Sequence, residues 1–103
     1  MVNVQIVCVG NIKEKFYTEA IKEYAKRLQA FCKFEIVEIK ESKLQKENIQ
    51  EITQAINNEG KEILKRARGY CIALCIEGKS IDSESFAKHI DDITLKGNSQ
   101  ITL

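Results

Sequence analysis

The ionisable side chains of this 103-residue sequence do not have the spacing of a catalytic site. Its single imidazole is His89, the residue type best suited to proton transfer near neutral pH. His89 follows Phe86 by three residues and precedes Ile93 by four, which places it beside the apolar stripe of a helix and favours a structural role. The neighbouring acids Asp91 and Asp92 fall on the surface of the same helix. The residues alone therefore supply no catalytic constellation.

The four cysteines do not have the spacing of a metal centre or a redox pair. Cys71 and Cys75 are four positions apart, whereas zinc knuckles and dithiol motifs use Cys-x-x-Cys. Cys8, like those two, falls in an apolar run, where cysteine behaves as a small hydrophobic residue. With one histidine in the chain, a four-ligand site would need nearly every candidate at once. We therefore expect reduced structural thiols and no metal.

Two phosphate-binding motifs can also be tested against the sequence. Gly78-Lys79-Ser80 resembles the end of a P-loop, but Ala73 occupies the position of the glycine that must precede it. No Gly-x-Gly-x-x-Gly follows the first apolar run either. The sequence therefore offers neither a P-loop nor a dinucleotide-binding fingerprint.

Two hydrophobic periods alternate along the chain and predict its strands and helices. Strands are predicted over residues 2–9, 34–39, 70–76 and 99–103. The third is apolar throughout, which is typical of a central parallel strand covered on both sides. The second alternates with polar residues, which is typical of a strand near an edge.

Three helices are predicted between these strands. The spacing from Asn11 to Glu14 indicates a cap for the first helix, whose apolar face would be formed by Tyr17, Ala20, Ile21, Tyr24, Leu28 and Phe31. Residues 40–48 form a predicted loop. The candidate caps of the second and third helices are Ser42 or Asn48, and Asp82 or Ser83.

The order β-α-β-α-β-α-β predicts a single α/β domain over residues 1–103. Helices of this length permit right-handed crossovers between parallel strands. We therefore expect an open, mostly parallel sheet with helices on both faces. In such sheets ligands bind at the carboxyl ends of the strands. These ends are predicted at Gly10-Asn11, at Ile39-Lys40 and over residues 77–80.

Composition narrows the class of protein further. Hydrophobic residues make up 44% of the chain, charged residues 30%, and there is no proline, which excludes collagen and low-complexity disorder. No apolar stretch reaches the roughly 20 residues that a membrane helix needs. The amino terminus has no basic leader before an apolar run. A cytoplasmic domain without a membrane segment is therefore expected.

The last predicted strand bears on the completeness of the sequence. Ile101-Thr102-Leu103 stops without a turn or a polar tail. This strand is either short and peripheral, or the sequence is the amino-terminal piece of a longer chain. Strand-length statistics favour the second interpretation.

A pattern much longer than any single motif runs through the chain. Its segments are VCVGNIKEKFY (7–17), EYAKRL (23–28), EIVEI (35–39), NEG (58–60), YCIALCIEGK (70–79), SESFA (83–87) and GNSQITL (97–103). In this order and spacing the sequence resembles the RlmH family over all 103 residues. RlmH proteins are SPOUT-class enzymes, so the resemblance implies the α/β knot fold, here without its carboxyl-terminal knot.

The resemblance also implies a function. RlmH proteins use S-adenosylmethionine to methylate the N3 atom of a pseudouridine in 23S ribosomal RNA, as homodimers on the assembled ribosome. Leu74 matches a cofactor-contacting position of the family, while Cys75 stands where the family usually has an acid. No catalytic residue carries over. The bases of the first helix, Lys22, Lys26 and Arg27 among them, would contact RNA phosphates. The alternative is an inactive truncated module that retains only binding or dimerisation.

Overall fold

Strands and helices alternate along the chain as the hydrophobic periods predict. The computed structural model describes residues 2–44 and 48–103; residues 45–47 of the predicted loop 40–48 lie outside them. The elements are β1 (Asn3–Val9), α1 (Lys15–Leu28), β2 (Lys33–Ile39), α2 (Ile49–Arg66), β3 (Tyr70–Cys71), α3 (Ser83–Leu95) and β4 (Gln100–Thr102).

The strands form one parallel sheet in the order β2-β1-β4-β3. Right-handed crossovers in this order put α1 and α3 on one face and α2 on the other. α1 packs on β2, and α2 packs on β1 and β2. The expected α/β class, the parallel sheet and the edge position of β2 are therefore confirmed.

A buried polar network joins β1, β4 and the segment that leaves α2. Gln5 and Thr102 are 7% and 4% exposed and lie opposite each other in the register. The amide of Gln5 donates to Thr102 Oγ1 at 2.9 Å and to the Arg66 carbonyl at 2.6 Å. Arg68 N–H donates to Thr102 Oγ1 at 2.9 Å, and this hydroxyl donates to the Arg68 carbonyl at 2.7 Å. The hydroxyl of Thr102 thus uses its one donor and both of its acceptor sites, which is its full hydrogen-bonding capacity.

Gly69 allows the chain to enter β3 directly after this network. Its φ of +67° lies in the left-handed region, which glycine adopts at little cost. A Cβ atom there would collide with the Gln100 carbonyl of β4. Only glycine therefore lets the two backbones approach closely enough to pair.

The third strand differs most from its prediction. β3 is two residues long, lies at the edge of the sheet and is exposed, so the central, doubly covered strand over 70–76 is wrong. Ile72 N–H still donates to the Thr102 carbonyl at 2.8 Å. In the described residues the pairing of this segment with β4 does not continue past Ile72.

The first helix begins later than predicted. Its cap position is Glu14, without a side-chain hydrogen bond, and Asn11 lies outside the helix. The reason is that Gly10 N–H donates to the Ile39 carbonyl at 2.7 Å. The chain is therefore still at the sheet edge at Gly10 and needs several residues to reach the helix layer. The caps Asn48 and Asp82 are confirmed by bonds from Glu51 N–H and Ser85 N–H, at 2.8 and 2.7 Å.

The aromatic residues of the first predicted apolar face do not pack against the sheet. Tyr24 and Phe31 are 63% and 77% exposed, whereas Thr18, Ile21 and Ala25 are half-buried. The side of α1 that carries these three residues is therefore the side that packs on β2. The buried hydrophobic residues of the described chain are Cys32, Ile39, Ile93 and Ile101.

Removing the hydroxyl of Thr102 while keeping its shape is expected to destabilise the fold. Thr102→Val leaves both backbone groups of Arg68 and one Gln5 donor without this partner, which costs about 2–3 kcal/mol of unfolding free energy. Thr102→Ser keeps the hydroxyl and is the matched control, with a smaller loss. Urea unfolding followed by circular dichroism measures both. A Val variant as stable as the Ser variant would contradict the role of the network.

Candidate functional site

The carboxyl ends of the four parallel strands meet at one edge of the sheet, where two clefts open. The larger, of about 760 Å³, lies beyond β1 and β2. The other, of about 580 Å³, lies between α3 and the segment that follows β3. Both volumes fall within the roughly 300–1,000 Å³ of small-molecule sites. These two clefts lie at the edge expected to bind ligands, and a smaller one of about 320 Å³ lies at the amino-terminal ends of β1, β2 and β4.

Leu74 lines the cleft beside α3, which we call the α3 cleft. It lies on the segment after β3 and is 69% exposed. The expectation that Leu74 ends the most buried strand is wrong, because β3 is an edge strand that ends at Cys71. Its side chain is instead an exposed apolar surface at the carboxyl edge. A ligand that covers it would gain the free energy of removing that surface from water.

The opposite wall of the α3 cleft is the first half of α3, which contributes Asp82, Ser85, Phe86 and His89. Phe86 is half-buried and adds apolar surface. The backbone N–H of Ser85, by hydrogen bonding to Asp82, holds the pKa of that carboxyl below its usual range. Asp82 is therefore ionised at neutral pH, and Lys79, which lines the same cleft, carries the opposite formal charge.

His89 meets an aromatic ring. The ring of Tyr70 lies 6.2 Å from it, edge-on at 78°. Within residues 2–44 and 48–103 no carboxylate is hydrogen-bonded to His89 to orient it, as a general base would require. The structure therefore brings the histidine to the α3 cleft without assembling a catalytic constellation around it.

The cysteines divide into two exposed and two shielded thiols. Cys71 and Cys75 are exposed, so the prediction that they are structural core residues is wrong; Cys8 is half-buried and Cys32 is buried. Burial, and secondarily the Glu38 carboxylate, raises the pKa of Cys8; burial raises that of Cys32. No group of three metal-ligating side chains comes together in the described part of the chain.

The larger cleft brings together two strand ends that the sequence predicts separately. Gly10 and Asn11 follow β1, and Lys40 and Ser42 follow β2. The loop after β2 is fixed from α2, because Ser42 N–H donates to Glu59 Oε2 at 2.9 Å. Sequence reasoning missed Glu59, since no motif marks a helix carboxylate that tethers a loop 17 residues earlier.

Comparison with known proteins identifies the family of this chain. A family model described as "Predicted SPOUT methyltransferase" matches residues 2–103. The chain therefore belongs to the SPOUT methyltransferase family, and the α/β class and parallel sheet agree with that fold.

Several relatives within the family carry one name. The ribosomal RNA large subunit methyltransferase H of Levilactobacillus brevis is 46% identical over 97% of this chain. The proteins of the same name from Limosilactobacillus reuteri and Clostridium acetobutylicum are 45% and 37% identical, over 97% and 96%. The chain spans 64–65% of the length of these relatives. None of its described helices is long and apolar enough to cross a membrane.

The exposure of the four thiols predicts their order of alkylation. Cys71 and Cys75 react first with iodoacetamide at pH 8, while Cys8 and Cys32 react more slowly because burial shields them and raises their pKa values. Raising the pH to 9.5 accelerates the alkylation of Cys8, since its raised pKa keeps the thiol mostly protonated at pH 8. Peptide mass spectrometry measures each rate. Modification of Cys32 before Cys71 in the folded protein would contradict the described packing.

Proposed function

We propose that this protein methylates the N3 atom of a pseudouridine in 23S ribosomal RNA of the large subunit, with S-adenosylmethionine as methyl donor. The observation that carries the proposal is the 46% identity, over 97% of the chain, to a protein named ribosomal RNA large subunit methyltransferase H. Membership of the SPOUT methyltransferase family supports the same class of reaction.

The residues of the α3 cleft fit one side of this cofactor. S-adenosylmethionine supplies a methyl group bound to a positively charged sulfur. Leu74 offers the exposed apolar surface that an adenine ring or a methionine chain would cover. Asp82 and Lys79 line the same cleft with opposite formal charges, so its apolar surface carries the argument. We therefore assign Leu74 to cofactor contact.

The proposal includes the setting in which the protein acts. We infer a cytoplasmic homodimer that binds the assembled ribosome. One side of α1 supports the dimer, because Phe16, Tyr17 and Tyr24 are 65%, 55% and 63% exposed. Exposed aromatic patches of this kind are typical of protein interfaces, and homodimers most often form through a self-complementary patch.

Deletion of the gene in its source organism tests the proposed reaction. Mass spectrometry of 23S RNA fragments should show loss of one methyl group from the pseudouridine. Expression of these 103 residues in the deletion strain then separates the enzyme from the alternative module. Restoration of the methyl group supports the enzyme, and loss without restoration supports the inactive module. A methyl group that persists after deletion would refute the function.

The assignment of Leu74 has its own test, which is independent of turnover. S-adenosylmethionine should slow the alkylation of Cys75, which lines the α3 cleft, and leave Cys71 unaffected, since both thiols are exposed and only Cys75 lines the cleft. Leu74→Ala should weaken this protection by about tenfold in cofactor concentration, as expected for a lost apolar contact. Leu74→Met is the control and keeps most of the protection. Equal protection in the Ala variant would remove Leu74 from the site.

A further inference from the structure

The three helices of the described chain carry different charges. α1 has four basic and two acidic residues, α2 has three of each, and α3 has one basic residue and three acidic ones. Although the whole chain has a formal net charge of only +1, its positive charge is concentrated on α1. A polyanion approaching the molecule is attracted most strongly to that helix.

Three of the four cationic residues of α1 lie on one side of the helix. Lys15, Lys22 and Lys26 are seven and four residues apart, so they lie on one side of the helix. All three are exposed. Among residues 2–44 and 48–103, no acid forms an ion pair with any of them. We call these three residues the lysine row.

Arg27 does not belong to the lysine row. Its Nε is 3.1 Å from Glu23 Oε1, and its guanidinium lies 5.6 Å from the centre of the Tyr24 ring. Tyr24 lies on the side of α1 away from the lysine row, Glu23 lies beside the row at three residues from Lys26, and the ion pair offsets the charge of Arg27. The cations of the helix that form no ion pair in the described residues are therefore the three lysines, and Glu19, which lies between Lys15 and Lys22 on the same side, lowers the net charge of that side to +2.

Resting on the proposed function, we propose that the lysine row is the surface that docks on phosphate groups of ribosomal RNA. At 1.5 Å per residue the row is about 16 Å long, and successive phosphates of a duplex strand rise by about 3.4 Å, so it spans several of them. Lysine is a compact point charge on a flexible stem, and it binds phosphate without reading sequence. The row thus provides affinity and orientation, while the cofactor contact proposed above lies at the carboxyl edge of the sheet.

Charge reversal along the row tests this proposal. The triple variant Lys15→Glu, Lys22→Glu, Lys26→Glu is titrated against large ribosomal subunits from the deletion strain at several salt concentrations. Affinity should fall at least tenfold. The slope of log affinity against log salt should become shallower by about two, since each lost phosphate contact removes about 0.7–0.9.

A matched control separates the row from overall charge. Lys61→Glu, Lys65→Glu, Lys88→Glu makes the same change in net charge on α2 and α3 and should leave affinity within about threefold and the slope unchanged. The milder variant Lys15→Gln, Lys22→Gln, Lys26→Gln should show the same changes as the row reversal at smaller size. It provides the test if the reversed variant fails to fold by circular dichroism.

Several results would overturn the proposal. Two of these are an equal loss of affinity in the row and control variants, and an unchanged salt slope in both row variants. The other two are no binding of subunits by the unchanged chain, and binding to anionic phospholipid vesicles, in place of subunits, that depends on the row. The deletion experiment keeps this outcome separate from the proposed function. If the methyl group disappears on deletion while the row variants bind normally, the function stands and the docking surface lies elsewhere.

Discussion

The hydroxyl of Thr102 is the point on which the arrangement of the sheet depends. It connects three parts of the chain that are distant in sequence: β1 through Gln5, β4 through its own backbone, and the segment after α2 through Arg68. Because a buried polar group without a partner is costly, this set of bonds permits one register of β4 against β1. It also fixes where the chain turns from α2 towards β3.

The α3 cleft follows from that register. Gly69 lies between Arg68 and β3, and its close approach to Gln100 brings Tyr70 into pairing beside β4. The chain then leaves the sheet after Cys71 and runs past α3, so Leu74 faces the cleft as an exposed residue. Asp82, which caps α3, completes the opposite wall. The buried network around Thr102 therefore determines the shape of the α3 cleft at the carboxyl edge of the sheet.

Local patterns predicted most of the element order, because hydrophobic period and caps such as Asn48 and Asp82 act within a few residues. They did not predict the short β3. The apolar run over 70–76 shows which residues could be buried in a strand, whereas the length of the strand depends on its pairing with β4. The exposed face of α1 was missed for the same reason: periodicity identifies an apolar face without showing which part of it meets the sheet. The tether from Glu59 to Ser42 has no local signal at all.

The strands of the sheet are paired over different lengths, so they do not open locally with the same ease. β1 and β2 are paired over seven residues, whereas β3 is held by two. Local opening free energies follow such differences, so the amides of β3 and of the segment after it exchange with solvent before those of β1. Any ligand that covers Leu74 in the α3 cleft would bind the ordered form of this segment. Its apparent affinity is therefore the intrinsic affinity reduced by the fraction of time the segment is ordered.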